Sequence, residues 1–103
     1  GAFEYSSTIK VEVTAPSEFS LLQNYPNPFN PSTQIVFRLK EDVQVNLTVF
    51  DLLGREVATV VNETMKAGSH KVSFDASDLG AGIYFYSLQA GSFHEMKKMT
   101  LIK

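Results

Sequence analysis

The side chains best suited to chemistry are two histidines, His70 and His94, and two carboxylates set close together, Asp75 and Asp78. A general base needs a partner that orients it and tunes its pKa. Neither "SHKV" nor "FHEM" supplies such a partner in sequence, so both histidines are expected on surface or edge strands. Asp75 and Asp78 in "DASD" offer oxygens that a hard cation favours, but two carboxylates without the rest of a calcium loop read as turn caps. Cysteine is absent, which removes thiol nucleophiles, thiolate zinc sites and disulfide staples. The expectation is therefore a non-enzyme: no catalytic residue, no cofactor-binding residue, no metal ligand and no cofactor.

Aromatic residues offer a different chemistry. Tyr84 and Tyr86 flank Phe85 and share one strand face with Leu88. Exposed, they would grip sugar rings. Buried, they would be core aromatics, with the Tyr84 hydroxyl bonding back to the backbone of "SDLG" in the manner of a tyrosine corner, and this second arrangement is the one expected. Asn46-Leu47-Thr48 and Asn62-Glu63-Thr64 match the N-glycosylation pattern, which recurs by chance.

The elements that position these groups are strands. Ile35, Phe37 and Leu39 alternate with Val36 and Arg38; Val43, Val45, Leu47 and Val49 alternate with polar residues; Val72 and Phe74 do the same. Turn signals separate the runs: "KED", "DLLGRE" with Gly54, "KAGS" and "QAGS". The spacing predicts hairpins pairing 34–39 with 43–50, 43–50 with 55–61 and 83–89 with 93–102. It also predicts a crossover between sheets over Asp75 to Gly82, with a helical turn at Ser77 to Leu79. No helical period occurs, so the fold class is all-β, an antiparallel sandwich of about seven strands. Ile35, Phe37, Val45, Leu47, Val49, Val57, Val72, Phe74, Tyr84 and Leu101 are the expected core.

With 103 residues and 44% hydrophobic side chains, the chain has material for one core. A net charge of -2 argues against a nucleic-acid surface, and no apolar run approaches the ~20 residues of a membrane span. The charge is unevenly placed: no acidic residue follows Glu95, while Lys97, Lys98 and Lys103 give the closing "KKMTLIK" a positive bias. At the other end, Gly1-Ala2 reads as a cloning remnant. "TIKVEV" is a strand, of this sandwich or of an upstream region, and "TAPSEFS" is a linker suited to proteolytic processing.

Between linker and sandwich lies "LLQNYPNPFNPST". Pro26, Pro28 and Pro31 fix their own backbones, and they push Tyr25, Asn27 and Asn30 out of the helical region. Asn24, Asn27 and Asn30 can satisfy backbone groups in turns, and Tyr25 and Phe29 can anchor the segment on a core. A stiff clip at one end of the sandwich is expected.

"NYPNPFNPST", "VNLTVFDLLGREV", "AGSHKVSFDASDLGAGIYFYSL" and "KKMTLIK" follow one another in the order and spacing of a known family. From about Phe19 to Lys103 the chain resembles the C-terminal sorting domain, type A, of the type IX secretion system, the Por system of Bacteroidetes and their relatives. Ala81 stands where that family often has serine, and Phe50 where tyrosine is common. The resemblance implies an Ig-like β-sandwich that directs a secreted passenger through the type IX system to the cell surface. The partners it implies are an outer-membrane translocon, a sortase-like surface protease that cleaves the domain off, and a covalently linked upstream passenger. Nucleic acid and membrane insertion are not expected. Residues 1–18 would then be upstream strand and linker, and 19–103 the sorting domain. Gly82, Tyr84, Lys97, Lys98, Leu101, Ile102 and Lys103 are the candidates for translocon recognition, with Asn24 to Pro31 as the structural motif. The alternative is an Ig-like carbohydrate-binding or spacer module of a secreted enzyme, which could stand anywhere in its parent, whereas a sorting signal should end it.

Overall fold

The computed structural model describes residues 16–103. The proposed strand from Ile9 to Val13 lies outside them. Seven strands alternate with short turns: β1 (Ser20–Leu21), β2 (Ser32–Leu39), β3 (Val43–Asp51), β4 (Glu56–Met65), β5 (Gly68–Asp75), β6 (Gly82–Ala90) and β7 (Phe93–Leu101). One sheet has the order β1-β2-β5 and the other β4-β3-β6-β7, all pairs antiparallel. The two sheets enclose one core, the arrangement of an Ig-like sandwich. No helix occurs among the described residues.

The period-two pattern becomes the core directly. Ile35, Phe37 and Leu39 of β2 face Val45, Leu47 and Val49 of β3 and Tyr84, Tyr86 and Leu88 of β6, all buried. Two of the expected core residues are only half-buried. Val57 sits at a register shift, where β4 runs from Glu56 opposite Phe50 to Ala58 opposite Val49, so Val57 has no cross-strand partner and Val61 fills the core instead. Val72 does pair with Ile35, but β5 is an edge strand and leaves one flank open.

The predicted pairing of 34–39 with 43–50 does not form. β2 and β3 lie in different sheets, and "KED" arches between them. A strand's apolar face must point at the core from either sheet, so the alternation is the same for a hairpin and an arch. The other two hairpins form as β3–β4 and β6–β7, and the segment after Asp75 crosses between the sheets. That crossover holds a turn, closed by the Leu79 amide donating to the Ala76 carbonyl at 2.9 Å, in place of a helical turn.

The proline segment joins both sheets. Tyr25 exchanges two backbone hydrogen bonds with Gln34 at the start of β2. Phe29, fully buried, bridges to the end of β7: its amide donates to the Thr100 carbonyl and its carbonyl accepts from the Ile102 amide. Asn27 Oδ1 accepts from the Thr100 amide at 3.0 Å. Phe29 is thus the anchor, whereas the Tyr25 ring is 81% exposed and holds on through its backbone alone.

Candidate functional site

Asp75, His70 and His94 are engaged in structure, whereas Asp78 is exposed in the crossover turn and caps no group among the described residues. Asp75 Oδ1 accepts from the Ser77 amide at 2.9 Å, a turn cap, and that bond and the Ser77 hydroxyl hold its carboxyl below the usual range. His70 stacks on Phe37 with centroids 5.5 Å apart, and its Nε2 lies 2.7 Å from the Lys66 carbonyl. His94 pairs with the Ser87 hydroxyl at 2.9 Å on β7, an edge strand. No cluster of three or more metal-ligating side chains is found among the described residues.

Tyr84 and Tyr86 point inward, so they form no sugar-binding platform. The Tyr84 hydroxyl donates to the Gly80 carbonyl at 2.6 Å, within the "SDLG" turn, and locks the crossover onto β6. Tyr86 reaches the start of the proline segment. Its hydroxyl donates to the Leu22 carbonyl at 2.8 Å and accepts from the Asn24 amide at 2.7 Å. Burial pushes this phenol up to about 12, against the opposing pull of the Asn24 amide. Asn24, itself buried, donates to the Thr33 hydroxyl at 2.9 Å and the Pro26 carbonyl at 3.1 Å. The network ties clip, β2 and β6 together, and every polar group named in it has a partner.

The closing strand divides its residues by face. Met99 and Leu101 are buried; Lys97 points the same way, half-covered, with its Nζ 3.4 Å from Glu95. Met96, Lys98 and Ile102 point outward and are exposed. Lys103 reaches the Ser77 carbonyl at 3.1 Å. Gly82 opens β6 at φ +151°, where a side chain would strain the backbone even though nothing crowds the position. Of the seven candidate recognition residues, Lys98, Ile102 and Lys103 are thus open to a partner, and Lys97 partly so. Gly82 shapes the backbone, and Tyr84 and Leu101 position it from within.

One surface escaped the strand pattern. On the outer face of the four-stranded sheet, Phe50 pairs with Phe85, and Phe85 with Lys98, in one row across three strands. Leu52 and Met96 close this row into a groove of about 210 Å³, also lined by Asp51 and Gly54. Gly54, at φ +84°, makes the tight β3–β4 turn that holds Leu52 outward. Asp51 braces this turn: its carboxylate accepts from the Leu53 amide, the Arg55 amide and the Arg55 side chain, each within 2.9 Å. The Arg55 amide is the main reason its carboxyl lies below the usual range. The sequence signal was present: apolar residues on both parities in "VFDLL" and "GIYFY", where a half-exposed strand would alternate.

With this geometry in view, the chain can be compared with known proteins. A family model described as the secretion system C-terminal sorting domain matches residues 23–103. Among solved structures, PorZ, an essential bacterial surface component of the type-IX secretion system of Porphyromonas gingivalis, is similar at 16% identity and a TM-score of 0.56. The similarity covers 79% of this chain and 11% of that one, a likeness of fold. No curated protein matches the chain.

Proposed function

The chain belongs to the family of secretion system C-terminal sorting domains, and from that premise we propose how its address is built and read. The domain is a sorting signal of type IX secretion, which marks an upstream passenger for export to the cell surface or beyond and works with the secretion machinery. In our reading an outer-membrane translocon binds the folded sandwich, a sortase-like surface protease then removes it, and the domain has no chemistry of its own. The match over residues 23–103 carries this reading. The recognised surface includes Lys98, Ile102 and Lys103, with Lys97 at its margin, while Gly82, Tyr84 and Leu101 hold that end of the sheet in shape.

We read the domain as starting at about residue 19. Phe19 stacks on Phe93 with centroids 5.6 Å apart, and Lys40 Nζ lies 5.5 Å from its ring centre, so Phe19 is part of the sandwich. Ser17 and Glu18, just before it, are exposed. In our reading processing falls between Thr14 and Ser20, with residues 1–18 as upstream strand and linker, a reading that the exposure of Ser17 and Glu18 supports. Mass spectrometry of the released passenger should find its C-terminus in this interval; one beyond about Asn30 would refute the assignment.

The address itself is tested by fusing the 103-residue chain behind an exported fluorescent reporter in a bacterium with a type IX system. Surface reporter is expected in that strain and is expected to vanish in a translocon-deficient one. Equal retention in both strains would overturn the reading.

A further inference from the structure

The two outer faces of the sandwich differ in kind. That of the three-stranded sheet carries Gln34, Arg38, Lys71 and Ser73, a solvated surface. That of the four-stranded sheet is apolar at the end next to the β3–β4 turn, where Leu52 is 65% and Met96 50% exposed beside Phe50 and Phe85. A sheet needs one apolar face for its core, and a second apolar area left in water marks a contact surface. A groove of about 210 Å³ falls below the ~300–1,000 Å³ typical of small-molecule sites. It suits one or two protruding side chains of a protein partner.

Charge orients that partner. The row Glu56–Phe50–Phe85–Lys98 runs across all four strands, anionic at one end and cationic at the other. Asp51, the carboxylate in the groove wall, is satisfied by its own turn, and Glu56 accepts from the Thr59 hydroxyl at 2.8 Å. Lys98 has no carboxylate within ion-pair distance among the described residues. An occupant that places an apolar side chain between the two phenyl rings would meet a free ammonium at the β7 end.

We propose that the groove formed by Phe50, Leu52, Phe85 and Met96 is a docking site for a segment of the export machinery that inserts an apolar side chain there and sets a carboxylate against Lys98. This rests on the sorting-signal reading and extends the contact from the closing strand across the outer face of the four-stranded sheet. Its energy comes from desolvating the aromatic groove, and its register from the charged rim.

The test uses the same reporter fusion of the full chain. Leu52→Asp with Met96→Asp should lower surface reporter at least tenfold while the purified chain keeps its melting temperature, because both side chains are exposed. A control pair on the opposite sheet, Lys71→Asp with Ser73→Asp, should leave export at the unsubstituted level. If Leu52→Asp with Met96→Asp does not fold, Leu52→Asp alone, in the exposed turn, is to be read in its place. A folded groove variant that exports normally overturns the proposal while leaving the sorting-signal reading intact. Failure of the unsubstituted fusion to reach the surface overturns both. Equilibrium sedimentation addresses a second copy as occupant: if the chain dimerises and the groove substitutions yield monomers that are still exported, the groove is a self-contact and the proposal falls.

Discussion

Tyr86 joins β6 to the proline clip through one oxygen, and its environment makes that oxygen sensitive to substitution and to alkali. Tyr86→Phe removes the acceptor for the Asn24 amide and the donor for the Leu22 carbonyl, leaving buried groups unpaired. A loss of about 1–3 kcal/mol in urea unfolding is expected. The phenol is raised to about 12 in the folded protein against 10 in the unfolded chain. The folded state thus holds its proton more tightly, and this contribution to stability is fully present below pH 10 and lost as pH rises through 12. Unfolding free energies measured from pH 9 to 12 should fall across that window, and the fall should be smaller in Tyr86→Phe. An unchanged pH profile in the variant would show that another group governs the alkaline transition.

At the scale of elements, the proline clip closes an edge. β7 has β6 on one side only, and an open edge strand invites pairing with other chains. Phe29 and Asn27 take up the donors of Ile102 and Thr100, and the Gln23 side chain donates to the Lys98 carbonyl at 2.8 Å, so the end of β7 is covered. Phe29→Ala should cost about 3–5 kcal/mol by opening a cavity under the clip. Asn27→Ala is milder, about 0.5–1.5 kcal/mol. In Asn27→Ala, native-state hydrogen exchange should speed at the Thr100 amide while amides in the centre of β3 keep their protection. Equal acceleration in both places would mean that clip and core open as one unit.

For the molecule as a whole, the question is which surface the secretion machinery meets. Lys97 and Lys98 are adjacent in sequence and face opposite sides of β7, so a joint charge reversal mixes two effects. Lys98→Glu changes an exposed side chain and should shift stability by no more than ~0.5 kcal/mol. It is expected to reduce surface delivery of the reporter about tenfold. Lys97→Glu puts a like charge beside Glu95, a partly exposed pair worth at most ~1 kcal/mol, and should act more on melting temperature than on delivery. Reporter assays and thermal melts on the two single variants separate these outcomes. Normal delivery of a folded Lys98→Glu domain would remove that lysine from the address.

Alternation of apolar residues determined most of the strands and, for Ile35, Phe37, Val45, Leu47, Val49, Phe74, Tyr84 and Leu101, the buried face, because period two follows from the pleat of the backbone. Turn chemistry determined the β3–β4 and β6–β7 hairpins, and the offset of Tyr84 from "SDLG" sufficed for the tyrosine corner. "NYPNPFNPST" and the motifs after it carried the family. Partners across space were a different matter. Whether "KED" turns a hairpin or arches between sheets depends on how two faces share one core, which neither strand encodes alone. Val57 lost its place to Val61 because a bulge is a property of a strand pair. Asn24 and Tyr86 are 62 residues apart, so their hydrogen bond exists only once the clip packs on β6. The groove, too, required the fold: Phe50, Leu52, Phe85 and Met96 come from three strands and a turn, and only their assembly on one outer face makes a groove of residues that are far apart in sequence.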